Sequence, residues 1–115
     1  MNCRCGTVVA VVSVVVGLSM ASPSGAAEIA EATITIKDHV FAPAELHVPA
    51  GKRILLKVDN QDPTPEEFES HELKVEKIIP GGSSGVVRFG PLEPGRYPFI
   101  GEFNQATAKG VVVAE

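Results

Sequence analysis

The sequence predicts an all-β sandwich of about seven short strands in a single domain. Three observations carry this. Short stretches rich in Val, Ile and Leu alternate apolar with polar residues, the period-two pattern of half-buried strands. Eleven glycines and nine prolines punctuate those stretches, giving turn signals roughly every 8–12 residues. No stretch of 28–115 sustains a helical apolar period, and 115 residues suit one domain.

Taken in order, the chain opens with a leader. Arg4 precedes an apolar run over 8–18, and small residues follow over 20–27. This is the layout of a secretory signal peptide, with cleavage after Ala26 or Ala27. The run is short for a membrane span. The expected domains are therefore a signal peptide over 1–27 and a folded domain over 28–115, exported to the periplasm, with no membrane span left after cleavage.

Within the domain, 28–32 reads as a lead-in and 33–37 as the first strand. Asp38-His39 and Pro43 break that strand. Strands follow over 45–49 and 53–59, with 50–52 as a turn. Residues 73–79 alternate, 80–85 is a Gly/Ser loop, and 86–89 is a short strand. A turn over 91–95 leads to a strand over 96–101, where Pro98 predicts an edge or a bulge. A loop over 102–109 precedes a closing strand over 110–114.

Composition excludes several functions. Both cysteines and both methionines fall within 1–27, so 28–115 has no disulfide and no sulfur ligand. Nine basic residues face fourteen acidic ones there, a net charge of −5. That disfavours nucleic acid and anionic lipid as partners and is compatible with cations. A domain of this size buries only about 60–65% of its unfolded surface, so without cross-links it depends on its core. No phosphate-binding loop, dinucleotide fingerprint or Ser-His-Asp arrangement is present in the sequence.

The chemistry concentrates in Pro63-Thr64-Pro65-Glu66-Glu67-Phe68-Glu69-Ser70-His71-Glu72. Two readings stand side by side. If extended, the stretch turns Glu67, Glu69 and His71 to one face and Phe68 to the core, a plausible oxygen-and-nitrogen metal site. If helical over 65–70, Thr64 is the N-cap, Pro65 the first helical residue and Glu67 the capping-box acid. The helical reading leaves Glu69 unexplained. His39 reads as a turn residue and His47 as solvated, while Asp38, Asp62, Glu76 and Glu93 read as solvated charges.

The order of elements resembles a cupredoxin. The resemblance runs from Asp38-His-Val-Phe-Ala-Pro43 through Leu46-His-Val-Pro-Ala-Gly-Lys52, Asn60 and Pro94-Gly-Arg-Tyr-Pro-Phe99 to Gly110-Val-Val-Val113. It implies an antiparallel Greek-key β-sandwich with ligands after the strand ending near Asn60 and in the loop 101–110. A type 1 copper site needs a Cys thiolate, two His and usually a Met. With no Cys or Met in 28–115, blue-copper electron transfer is excluded.

Thr-Pro-Glu-Glu-Phe-Glu-Ser over 64–70, Gly-Pro-Leu-Glu-Pro-Gly over 90–95 and Gly101-Glu-Phe103 narrow the resemblance. They are similar to small periplasmic cupredoxin-like proteins that accompany bacterial iron permeases. The resemblance implies binding of iron or copper and assistance in oxidising ferrous iron, with an inner-membrane permease or a periplasmic iron-binding protein as partner. It implies Glu67, Glu69 and Glu102 as carboxylate ligands and His39 as the nitrogen ligand. Asn104 departs from the pattern, which has His there. A metal-free docking module and a non-redox copper carrier are the alternatives.

Overall fold

In this computed structural model the described residues are Gly17 and 28–115. The expected leader lies, but for Gly17, outside them. Among the described residues nine strands form two sheets: β1 (Ile29–Lys37), β2 (Val40–Ala42), β3 (Glu45–Val48), β4 (Arg53–Asn60), β5 (Glu66–Ser70), β6 (Val75–Ile79), β7 (Ser84–Phe89), β8 (Gly95–Gly101) and β9 (Lys109–Ala114). A 3-10 turn, Glu102–Asn104, follows β8. One sheet has the order β2-β1-β4-β7 and the other β3-β9-β8-β5-β6. The expected Greek-key sandwich is what forms, but it is not purely antiparallel. β1 runs parallel to β4, and β3 runs parallel to β9.

The core follows from alternation. In β4, Ile54, Leu56, Val58 and Asn60 are buried while the residues between them are less so, because successive side chains leave a strand on opposite faces. Phe41, Phe68 and Phe99 bring the two sheets together. Phe68 stacks on Phe99 at 4.9 Å, and Phe41 meets Phe99 edge-on at 5.1 Å.

Two strands differ from expectation. Residues 40–42 form β2, paired back onto β1 through a two-residue turn. Asp38 and His39 both take positive φ there, 53° and 58°, the hairpin conformation whose twist matches the flanking strands. The short helix expected as one reading of 65–70 is absent. That stretch is β5, hydrogen-bonded to β6 and β8, because extended backbone lets both Glu66 and Phe68 reach the interior. Pro98 lies in an inner strand rather than at an edge. Its tolerance is local, since β5 pairs with β8 only at residues 100 and 101.

Candidate functional site

The extended form of β5 decides the geometry. Glu66, Phe68 and Ser70 point inward and are buried, while Glu67 and Glu69 are half-buried on the outer face. On the neighbouring strand Glu76 lies directly opposite Glu69. At the other side, β8 ends at Gly101 beside Phe68, so Glu102 emerges next to the same face. Four carboxyl groups thus share one patch. Glu76, read from sequence as a solvated charge, belongs to it. The missed signal was register: nothing local shows that 76 faces 69.

Like charges held opposite one another on a sheet are destabilising, and two carboxyls of the patch are shifted upward. Glu67 is held above its ordinary value, chiefly by a hydrogen bond shared with Glu76, then by partial desolvation and repulsion from Glu76, Glu69 and Glu102. Glu69 is raised chiefly by a hydrogen bond shared with Glu102, then by desolvation and repulsion from Glu102, with His71 opposing the shift. His71 Nε2 lies 3.6 Å from Glu69 Oε1. A cleft of about 280 Å³ beside the patch is lined by Glu69, His71, Lys74 and Glu76 among others.

A stability prediction follows. Glu67 keeps its proton to higher pH folded than unfolded. Its contribution is therefore full below about 4.5 and is lost as pH rises through the raised value. Glu76→Gln removes the repulsion, so its melting midpoint at pH 7 is expected to rise by a few degrees. The gain should vanish below pH 4. A thermal melt of both proteins at pH 4 and pH 7 checks this, and an equal shift at both values would contradict it.

His39 is engaged elsewhere. Asp62 Oδ1 and Oδ2 accept the main-chain N–H groups of Asp38 and His39 at 2.7 and 2.9 Å, and His39 Nδ1 lies 3.5 Å from Asp62 Oδ2. Asp62 is buried, not solvated as its sequence position suggests. Its carboxyl lies below the ordinary range, mainly through the His39 N–H bond. No hydrogen bond or ion pair joins His39 to Glu67, Glu69 or Glu102 among the described residues. Nor do three His, Cys, Asp or Glu side chains there form a ready-made metal-holding group.

Asn104 points inward, donating to Glu66 Oε2 at 2.6 Å. Neither thiolate nor thioether occurs in 28–115, so the described residues do not fit a type 1 copper ion. The outward carboxyls fit a hard, oxygen-seeking cation better. A second cleft of about 240 Å³, lined by Ile29, Arg53, Leu55 and Arg88 among others, lies at the opposite end of β4 and contains none of the candidate residues. No helix among the described residues is long and apolar enough to cross a membrane.

A family model described as a cupredoxin-like domain matches residues 10–114. An uncharacterised protein of Rickettsia prowazekii (strain Madrid E) is 46% identical over 85 residues, which cover 74% of this chain and 68% of that protein. Among solved structures, a copper-binding protein in its apo form has a TM-score of 0.67 at 18% identity, covering 79% of this chain and 92% of the other. Auracyanin B has a TM-score of 0.66 at 17% identity, covering 79% and 91%. The metal-binding domain of the Streptococcus pneumoniae D39 Cu(I)-exporting P-type ATPase has a TM-score of 0.65 at 22% identity, covering 80% and 91%. At these identities the structural likeness shows the fold alone.

Proposed function

Because this chain belongs to the cupredoxin-like family, we propose that it is an exported metal-binding protein whose cation site is the carboxylate face rather than a blue-copper centre. The observation that carries this reading is the crowding of Glu67, Glu69, Glu76 and Glu102 on one patch, where shared hydrogen bonds and mutual repulsion raise Glu67 and Glu69 and a cation would relieve the repulsion. Glu67, Glu69 and Glu102 would be the ligands, with Glu76 beside them. His39 is left out of this set because Asp62 holds its turn.

Iron is the cargo such a donor set favours, since hard anionic oxygens suit hard cations. Anionic oxygens stabilise Fe(III) over Fe(II). They would ease loss of one electron from ferrous iron to an acceptor such as dioxygen or a copper ion. This supports a periplasmic role in iron uptake, handing iron to a permease or to a second iron-binding protein.

The test is calorimetric titration with Fe(II) under anaerobic conditions and with Cu(II). Micromolar or tighter Fe(II) binding is expected, weakened about a hundredfold or more in Glu69→Gln/Glu102→Gln and unchanged in His39→Ala. Binding should tighten as pH rises through the raised carboxyl values, because the ion displaces protons. Affinity retained by the double variant would overturn the assignment. Aerobic turnover of Fe(II) then separates an oxidase from a carrier.

A metal-free docking role is the second reading. The observation favouring it is that no three His, Cys, Asp or Glu side chains converge into a metal-holding group among the described residues. The absence of any Fe(II) or Cu(II) binding by the intact domain would support it.

A further inference from the structure

We propose that Glu66 is the positioning residue of the carboxylate face: tied to Phe103 and Asn104, it holds the 102–104 turn so that Glu102 stands beside Glu69. The inference rests on the cation-site reading for its function, but its geometry stands apart from that reading.

Glu66 opens β5, and its side chain leaves the strand on the face opposite Glu67 and Glu69. It is only 1% exposed. A buried carboxyl group is costly unless it is fully hydrogen-bonded. Here all three partners are N–H groups and none is a cation. Oε1 accepts from the main chain of Glu67 at 3.1 Å and of Phe103 at 2.9 Å, and Oε2 accepts from Asn104 Nδ2 at 2.6 Å. Two of the three donors therefore come from the turn, nearly forty residues along the chain.

The turn has few other anchors. It has no side-chain cap and no buried residue, and Phe103 is half exposed. Its remaining ties lie within its own loop: main-chain bonds such as Ala108 N to Asn104 O at 2.8 Å and Gly101 N to Ala108 O at 2.8 Å, and the side-chain bond from Gln105 Nε2 to Glu102 O at 3.4 Å. These shape the loop without fixing it to β5. The close approach of Glu66 also needs Gly101. A Cβ there would fall 2.7 Å from Glu66 Cδ and 2.6 Å from the Ala108 Cβ. Glu102 lies between this glycine and the pinned Phe103 N–H, so its direction is set from both sides. Adjacent residues divide the work. Glu66 holds the turn from inside, and Glu67 presents its carboxyl outside.

The donor and acceptor can be exchanged. Asn104→Asp sets two carboxyl groups against each other. Glu66→Gln/Asn104→Asp restores the bond with its direction reversed, and the Gln oxygen still accepts from Phe103. Two readouts use the metal-free protein: amide hydrogen exchange at Phe103 and the nuclear Overhauser contact between Glu69 and Glu102. A third is the Fe(II) dissociation constant.

In Asn104→Asp the Phe103 amide is expected to exchange at least about tenfold faster. The Glu69–Glu102 contact should disappear and Fe(II) binding should weaken about tenfold. The double variant should return all three to near the parent values. If Asn104→Asp does not fold, Asn104→Ala removes only the one donor and should show the same changes, smaller in size. A folded single variant that keeps its exchange rate and contact overturns the proposal, as does a double variant that folds without restoring them. A parent protein that binds no Fe(II) sinks the cation reading alone, because exchange and contact still decide the role of Glu66.

Discussion

Phe68→Ala is expected to cost about 3–5 kcal/mol, the usual penalty for emptying a buried phenylalanine site. Phe68 is fully buried and touches two other rings, stacked on Phe99 at 4.9 Å and edge-on to Phe41 at 5.9 Å. Those rings come from β5, β8 and β2, so the cavity would open between the sheets rather than at a margin. A domain of this size has a total stability on the order of 5–10 kcal/mol. The variant should therefore lose roughly a third or more of its stability. Urea denaturation followed by circular dichroism measures this directly. A loss below about 1 kcal/mol, with unchanged slope, would show that the sheets do not meet there.

Asn60→Ala is expected to cost about 2–3 kcal/mol, for a different reason. Asn60 is 1% exposed at the end of β4. Its Nδ2 faces the carbonyls of Thr64, Ile79 and Pro80 at 2.8, 3.2 and 3.4 Å, and its Oδ1 accepts the Asp62 N–H at 3.1 Å. Alanine removes every one of these partners while leaving the main-chain groups buried. Asn60→Asp should be worse, because a carboxylate cannot donate to carbonyls. Chemical denaturation gives the size of the loss, and faster proteolysis within 61–65 would locate it. An unchanged midpoint would mean that water replaces the side chain without penalty.

Much of the fold was legible before any coordinates. Strands over 45–49, 53–59, 96–101 and 110–114 fall within a residue of β3, β4, β8 and β9, because their alternation is set by one buried face. β1 and β7 begin earlier than their alternation suggests, Ile29 against 33 and Ser84 against 86. Ala30, Ala32 and Gly85 have weak strand preference, and pairing with β4 recruits them. β2 was hidden by Asp38-His39, which reads as an ending until Asp62 is seen accepting both of their N–H groups.

The acidic stretch carried two local readings, and tertiary contact chose between them. Thr64-Pro65-Glu66-Glu67 has the chemistry of a helix start. Only the extended form seats Phe68 among the other rings and Glu66 under the 102–104 turn. Of the expected ligands, Glu67, Glu69 and Glu102 lie on one patch without converging into a metal-holding group, and His39 lies beside Asp62. Glu76 reads from sequence as a solvated charge and Glu66 as part of a helix start, because strand register and inward direction are long-range facts.

The strand order also governs when this molecule can exist. β9 lies between β3 and β8, pairing Glu45 with Val111 on one side and Gly95 with Ala114 on the other. Among the described strands β9 is thus a keystone. Until residues 109–114 have been synthesised, β3 has no neighbour in its sheet and β8 lacks one of its two. Closing a parallel pair across more than sixty residues is slow, typically milliseconds to seconds. The growing polypeptide therefore stays open at least until 109–114 have been made, and a truncation before 109 removes two strand pairings at once.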